Sequence, residues 1–219
     1  METTPRASER DNIPYIEIPG GGDLVAFGGS LSPERLLRSY RMGIFPWYED
    51  SSPVLWWSPD PRAVLELDEL HVSRRLARTL RRGEFQITRD QAFERVIRGC
   101  AEVRDGETWI TEDMVRGYTR FHELGYAHSV EVWQDERLVG GIYGVAIGAF
   151  FAGESMFYRE RDASKVALVA LVEHLREQRY AFLDLQILND HTETLGGVEM
   201  PREVYLDRLR DAITQDVRF

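Results

Sequence analysis

The sequence has few of the features that would place it in several common classes of protein. Cys100 is the single cysteine among 219 residues, which excludes an internal disulfide and a zinc site built from cysteines. No apolar run reaches the roughly 20 residues that a membrane-spanning helix needs. Met1 to Asp11 is polar and charged, without the apolar segment of a signal peptide. We therefore expect a cytoplasmic globular protein that holds no metal and does not enter a membrane.

Cations are scarce relative to acids, and lysine is almost missing. The formal net charge is −10, which argues against indiscriminate binding to a polyanion. Lys165 is the only lysine, and the main cationic stretch is a predicted helix over 71–82. It carries Arg74, Arg75, Arg78, Arg81 and Arg82. Arginines without acids between them repel one another, which favours contact with phosphates. A solvated surface of the helix is the alternative.

The order of predicted elements indicates a mixed α/β fold. Helices alternate with strands, and a central hairpin pairs 127–133 with 138–152 across Asp135 and Glu136. Ser32 and Pro33 are typical of a helix start, and that helix stops at Gly43. Pro59 and Pro61 mark a predicted boundary between a small N-terminal domain, 1–61, and a larger domain, 62–219. Residues 1–12 are predicted to be a disordered tail.

The candidate chemistry lies in a predicted strand, helix, strand unit. The first strand is predicted to end at Gly153-Glu154-Ser155, the helix to span 162–178 and the second strand 180–187. Asp184 and Gln186 are two residues apart, so their side chains leave the same face of that strand. If the two strands are parallel, Glu154 approaches this pair. The alternative is a solvent-facing edge strand, with Glu154 an ordinary loop acid.

Three tryptophans occur within eleven residues, at 47, 56 and 57. Such rings usually pack in a core or between domains. Flat aromatic faces beside a cleft also suit the stacking of a nucleobase. Both interpretations remain open from composition alone.

Nine separate motifs carry a resemblance to a known family. They are Leu31–Leu37, Arg41–Trp47, Leu55–Arg62, Gly106–Thr111, His122–Gly125, His128–Trp133, Gly153–Phe157, Asp162–Lys165 and Leu188–Thr192. Together they resemble the leucyl/phenylalanyl-tRNA protein transferases. The resemblance runs from about Leu24 to Leu209 and so covers nearly the whole chain.

The resemblance implies an acetyltransferase-like (GNAT) domain after the small N-terminal domain, without metal or cofactor. It implies an enzyme that moves Leu or Phe, and less well Met, from aminoacyl-tRNA to the α-amine of proteins beginning with Arg or Lys. Such products are marked for degradation by the N-end rule. A monomer is expected. An acyl-CoA-dependent N-acetyltransferase and a non-catalytic aminoacyl-tRNA-binding module are the alternatives.

The resemblance also assigns roles to residues. Trp47 and Trp109 match positions that hold the terminal adenosine of the tRNA. Glu154, Asp184 and Gln186 match catalytic and acceptor-site positions. The positions lining a pocket for the transferred side chain are Ile142, Leu168, Leu171 and Leu175. The arginines from 74 to 82 and Lys165 are expected to contact tRNA phosphates. The leucines at 171 and 175 replace aromatic residues of some members, which leaves the preference between Leu and Phe open.

Overall fold

The computed structural model describes residues 14–20, 22–102 and 108–219. The predicted tail at 1–12 and the Gly106-Glu107 part of one motif lie outside the described residues. The helices α1 to α7 span Pro33–Arg41, Arg74–Arg82, Phe93–Glu102, Glu112–Glu123, Ala163–Glu177, Asp190–Glu193 and Arg202–Ala212. A turn of 3₁₀-helix lies at Leu67–Glu69. Within the described ranges no helix is long and apolar enough to cross a membrane.

A small antiparallel sheet forms the N-terminal part of the chain. Its strands, in the order β1, β2, β4, β3, are Ile16–Glu17, Leu24–Phe27, Leu55–Trp57 and Phe45–Pro46. Helix α1 connects β2 to β3 and begins as the sequence predicts. The Ser32 hydroxyl accepts a hydrogen bond from the Arg35 backbone N–H, and Pro33 follows it. This sheet positions Tyr40 of α1 toward the larger sheet.

The second sheet is mixed and has seven strands, in the order β11, β5, β10, β9, β8, β7, β6. Strands β5 to β11 span Arg62–Leu65, Gln86–Arg89, Ala127–Gln134, Arg137–Ile147, Phe150–Tyr158, Phe182–Gln186 and Val198–Met200. Strands β9 and β10 are parallel, and the other neighbouring pairs are antiparallel. The predicted mixed α/β class is confirmed.

Two apolar cores cover the two faces of the large sheet. One core joins Trp56 of β4 and Tyr40 of α1 to Tyr143 of β8 and Tyr205 of α7. The other lies between the sheet and α5. Helix α5 is buried along most of its length because it packs against β7, β8 and β9 and against the 3₁₀ turn and α2. Residues on the first face therefore meet side chains from the N-terminal sheet, and residues on the second face meet α5.

Two sequence predictions about the strands are wrong. The run 138–152 is not one strand, because a turn at Gly148 and Ala149 divides it into β8 and β9. Gly148 has φ +57°, and no polar residue marks the turn, so the apolar pattern continues across it. Glu154 consequently lies within β9 and not at a strand end. The edge-strand interpretation of 180–187 is also wrong, since β10 lies between β5 and β9.

Other predicted elements are close to those observed. Asp135 and Glu136, both at positive φ, make the tight turn between β7 and β8, as predicted. Helix α2 begins at Arg74, after Ser73 accepts a hydrogen bond from the Leu76 backbone N–H. The predicted helix therefore started three residues too early. The predicted parallel pairing of the strands on either side of α5 is confirmed.

Candidate active site

A gap opens between the two parallel strands. Strands β9 and β10 pair at three positions, the last of which joins Asp184 to Ala152. Beyond it β9 continues to Tyr158 beside β8, whereas β10 ends at Gln186. We call the space between 153–156 of β9 and 185–186 of β10 the strand gap. Side chains from the end of β10 and from the middle of β9 can therefore enter this space.

Glu154 reaches the strand gap through a bulge in β9. The β8–β9 register passes from Gly144 opposite Gly153 to Tyr143 opposite Ser155, which leaves Glu154 as the extra residue. The Glu154 residue is 9% exposed. Tyr40 donates its hydroxyl to Oε1 at 2.7 Å, and the Tyr118 hydroxyl donates to Oε2 at 3.3 Å. The acid is therefore held from the side of the N-terminal sheet and α4.

Gln186 contacts Glu154 from the other side of the strand gap. Its side-chain Nε2 donates to Glu154 Oε1 at 2.8 Å. The backbone of Gln186 has φ +65°, a conformation unfavourable for a residue with a side chain, and the β10–β5 register shifts at this point. Among the described residues no hydrogen bond reaches Gln186 Oε1. The amide therefore presents a free carbonyl oxygen beside a buried carboxyl group.

Burial raises the pKa of Glu154 to about 7. The Tyr40 hydrogen bond acts in the opposite direction, and the negative charge of Asp184 raises the pKa again. Burial also holds the pKa values of Tyr40 and Tyr118 well above their ordinary value, so both hydroxyls keep their protons. Glu154 thus exchanges its proton near neutral pH, in the range that suits acid–base chemistry.

Asp184 is fully buried in an ion pair that occupies both of its oxygens. Arg62 donates from Nε to Oδ1 at 2.8 Å and from Nη2 to Oδ2 at 2.7 Å. The Tyr205 hydroxyl donates to Oδ2, and the Gln186 backbone N–H donates to Oδ1, each at 2.9 Å. Burial by itself would lower the pKa of Arg62, but the charge of Asp184 raises it above its ordinary value. Asp184 therefore fixes the backbone of Gln186 instead of facing the strand gap.

Sequence reasoning missed the residues that support this site. Arg62, Tyr205, Tyr40 and Tyr118 were not among the predicted site residues. A charged residue opening the otherwise apolar stretch of β5 was a signal that Arg62 needed a buried partner. The tyrosines occupy positions at the ordinary helical spacing of apolar residues. The pattern therefore gave no reason to distinguish them from core residues.

The tryptophans divide between the core and the surface. Trp56 is fully buried, and its Nε1 donates to the carbonyl of Gly28. Trp47 is 41% exposed and lies beside Trp57, with ring centroids 6.1 Å apart. Trp109 is half-buried and packs against the core shared by the two sheets. Trp56 is therefore a core residue, whereas Trp47 has an exposed ring face that could stack on a nucleobase.

The four residues predicted to line the side-chain pocket are packed together. Ile142, Leu168, Leu171 and Leu175 are at most 6% exposed and lie in the core between α5 and the sheet. Tyr40 and Tyr118, the partners of Glu154, belong to the core on the other face. Met156 and Leu185, at the two sides of the strand gap, are partly buried against the α5 core. Residues that belong to or pack against both cores therefore border the strand gap.

The predicted phosphate-binding arginines lie along α2 and are exposed. Within the described part of the chain, Arg74, Arg78 and Arg81 have no ion pair. Arg75 pairs with Asp162 at 3.0 Å, and Arg82 lies 3.9 Å from Glu84. Lys165 is half-buried in the first turn of α5. The Arg75–Asp162 ion pair therefore links α2 to the start of α5.

Comparisons with known proteins identify a family to which the chain is similar. The family model described as leucyl/phenylalanyl-tRNA protein transferase matches residues 64–210, and the model of that family's N-terminal domain matches 29–60. The leucyl/phenylalanyl-tRNA–protein transferase of Stutzerimonas stutzeri is 55% identical over 210 residues, which cover 92% of both chains. That of Magnetococcus marinus is 52% identical over 217 residues, which cover 96% of this chain and 92% of the relative.

The solved structures that match part of this chain include acetyltransferases. An aminoglycoside acetyltransferase from an uncultured soil sample matches 51% of this chain and 84% of its own, with 12% identity and a TM-score of 0.41. A GCN5-related N-acetyltransferase from Kribbella flavida matches 73% of this chain and 57% of its own, with 14% identity and a TM-score of 0.38.

The curated relatives define the class of this protein as a transferase. More than half of the aligned residues are identical over nearly the whole length, and the family model spans most of the chain. The chain belongs to the leucyl/phenylalanyl-tRNA protein transferase family and is an aminoacyltransferase. The resemblance inferred from the motifs is confirmed.

Proposed function

We propose that this chain transfers Leu or Phe, and less well Met, from aminoacyl-tRNA to the α-amine of proteins that begin with Arg or Lys. The observation that carries the proposal is the contact of Gln186 with Glu154 across the strand gap. It puts a free amide oxygen and a carboxyl group with a pKa near 7 at one opening. The reaction requires an amine to lose a proton and attack a carbonyl carbon. The amide oxygen and the carboxyl group are suited to assist such an amine.

The donor ester is already activated, so the reaction needs no ATP and no metal. The acceptor α-amine attacks the ester carbonyl, a C–N bond forms, and the bond to the ribose oxygen breaks. The amine loses one proton, and the ribose hydroxyl gains one. A free α-amine has a pKa of about 7.7–8.0, so a useful fraction is neutral at cellular pH. Positioning can therefore supply much of the acceleration.

We assign the orientation of the amine to Gln186, held by Asp184. The Gln186 Oε1 is free to accept a hydrogen bond from the amine, since Nε2 is committed to Glu154. Asp184 acts through the backbone N–H of Gln186 and its ion pair with Arg62. Both Asp184 oxygens are occupied, which argues for a positioning role and against direct proton abstraction. A carboxylate at Glu154 would attract the basic side chain of the acceptor.

For the donor, we propose that Trp47 and Trp109 hold the terminal adenosine and that α2 contacts acceptor-stem phosphates. The exposed ring of Trp47 supports stacking of a base. We place the transferred side chain against Ile142, Leu168, Leu171 and Leu175, reached through the strand gap beside Met156 and Leu185. We expect the chain to act as a monomer. Charged tRNA is cytoplasmic, so the enzyme is expected there.

The two alternatives fit the chain less well. An acyl-CoA-dependent acetyltransferase would use an Arg/Gln-x-x-Gly-x-Gly/Ala loop before its crossover helix, and the sequence before α5 contains none. A module that only binds aminoacyl-tRNA would have no use for Gln186 in a strained conformation beside Glu154.

The test is transfer of labelled Leu and Phe from charged tRNA to peptides that differ only in an N-terminal Arg, Lys or Ala. We expect transfer to Arg and Lys but not to Ala. Equal transfer to Ala would contradict the acceptor assignment. Binding of charged tRNA without any transfer would favour the non-catalytic alternative, and acetylation of the peptides from acetyl-CoA would favour the other.

A further inference from the structure

A second groove leads away from the strand gap along the start of α5. It encloses about 510 Å³ and is lined chiefly by Arg75, Met156, Tyr158, Arg161, Lys165 and His191. We call it the α5 groove. Met156 borders the strand gap, two residues beyond Glu154 on β9, so the groove and the candidate active site share this residue. The outer end reaches Arg75 on α2.

The α5 groove joins the cationic surface of α2. A neighbouring groove of about 370 Å³ is lined by Arg78 and Arg82 and shares Arg75, Arg161 and Asp162 with the α5 groove. The ion pair between Arg75 and Asp162 lies where the two grooves meet. The two grooves therefore adjoin at these shared residues, and the acids Glu84 and Glu160 also line the neighbouring groove.

The lining of the α5 groove suits a chain of nucleotides. Tyr158 is 56% exposed, which leaves its ring available for stacking. In the described part of the chain, neither Arg161 nor Lys165 has an acidic partner. His191 is half-buried, and both burial and the charge of Lys165 lower its pKa. Asp162, the acid of this groove, is bound to Arg75 and Thr79. Unpaired cations beside an exposed ring favour a phosphodiester and an unpaired base.

We propose that the α5 groove binds the two unpaired cytidines that precede the terminal adenosine of the donor tRNA. Tyr158 stacks on one of their bases, and Lys165, Arg161 and His191 face the connecting phosphates. This subsite rests on the proposed function, since it extends the path of the same donor. It differs from the adenosine site at Trp47 and Trp109 and from the phosphate contacts of α2.

The test compares two minimal Phe donors, one carried on adenosine alone and one on a cytidine-cytidine-adenosine trinucleotide. For wild type we expect kcat/KM to be higher with the trinucleotide by about tenfold or more, the value of stacking one base on an aromatic ring. Tyr158→Ala should bring the ratio of the two kcat/KM values close to one. Tyr158→Phe keeps the ring and should keep the wild-type ratio. Lys165→Gln should lower the ratio, and Arg179→Gln, at the other end of α5, should not.

Binding of the uncharged trinucleotide gives a readout that needs no turnover. Wild type should bind it more tightly than adenosine, and Tyr158→Ala should lose that difference. Normal transfer from whole Phe-tRNA together with equal kcat/KM for the two minimal donors would overturn the α5 groove proposal alone. Failure of wild type to transfer Phe from whole tRNA would instead overturn the proposed function. An unchanged ratio in Tyr158→Ala would reject the role of its ring.

Discussion

Gln186, at the end of β10, and Glu154, within β9, meet across the strand gap, with the amide nitrogen 2.8 Å from the carboxyl oxygen. The two residues come from different strands and from two local irregularities, a bulge in β9 and a positive φ in β10. Strain of this kind persists where the surroundings enforce it. Here Asp184 enforces it by accepting the Gln186 backbone N–H, and Arg62 holds Asp184.

Asp184→Asn should destabilise the fold as well as the site. The substitution leaves the buried guanidinium of Arg62 without a charged partner, a change that costs about 3–5 kcal/mol in comparable pairs. Urea unfolding measures the loss. Asp207→Asn, in an exposed pair with Arg210, is the control and should cause no measurable change. Equal stability of Asp184→Asn and wild type would show that the ion pair does not hold this part of the fold.

Gln186→Gly should separate activity from stability. Glycine adopts φ +65° without steric cost, so the unfolding free energy should stay within about 1 kcal/mol of the wild-type value. Transfer to an Arg peptide should nevertheless fall, because the amide that faces the acceptor is lost. Chemical denaturation and initial-rate assays on the same preparation check both parts. Full activity of the glycine variant would exclude a role for the amide.

Glu154 should make stability depend on pH in a defined direction. The folded chain keeps the Glu154 proton up to about pH 7, whereas the unfolded chain loses it near pH 4.5. Between these values the folded state binds more protons, so the free energy of unfolding falls as pH rises. Relative to Glu154→Gln, wild type should lose on the order of 2 kcal/mol between pH 5 and pH 8. Parallel pH profiles of the two proteins would contradict the buried, titrating carboxyl group.

The arginines of α2 should contribute to the salt dependence of tRNA binding. Arg78 is exposed and has no ion pair within the described residues, so Arg78→Gln removes one phosphate contact without breaking an internal pair. The slope of log Kd against log salt should decrease by about 0.9. Filter binding between 50 and 200 mM salt, as ordinarily used for such slopes, measures the change. Arg179→Gln, beyond the end of α5, is the control. Equal slopes for Arg78→Gln and Arg179→Gln would show that α2 does not contact the tRNA.

The sequence predicted the parts of the fold that follow from local patterning. The start of α1 at Ser32 and the β7–β8 turn were both accessible from residue type and spacing. The turn at Gly148 was not, because apolar residues continue on both sides of it. Regular alternation placed Asp184 and Gln186 together, but the register shifts between them, so Asp184 binds Arg62 whereas Gln186 contacts Glu154. Which polar residues support the site depends on their positions in the folded structure, which the local sequence pattern does not give.

Long-range contacts explain why the supporting residues could not be predicted. Arg62 and Asp184 are 122 positions apart, and Tyr40 and Glu154 are 114 apart. A single sequence gives no signal for pairs at such separations. The resemblance to the family named Glu154, Asp184 and Gln186, but it did not say that Asp184 is enclosed by Arg62 and Tyr205. Only the structure shows that Gln186 faces the strand gap and that Asp184 holds Gln186 in place.

The most direct test of the account is a single-turnover measurement of the transfer step. Enzyme saturated with Phe-tRNA is mixed with a peptide that begins with Arg, and the rate of peptide-bond formation is followed for wild type, Gln186→Ala and the exposed control Gln178→Ala. We expect Gln186→Ala to bind Phe-tRNA as wild type does but to transfer Phe about 100-fold more slowly, the size of effect that misplacement of a reacting group produces. Gln178→Ala should match wild type. Unchanged transfer in Gln186→Ala would contradict the assignment of the strand gap as the active site.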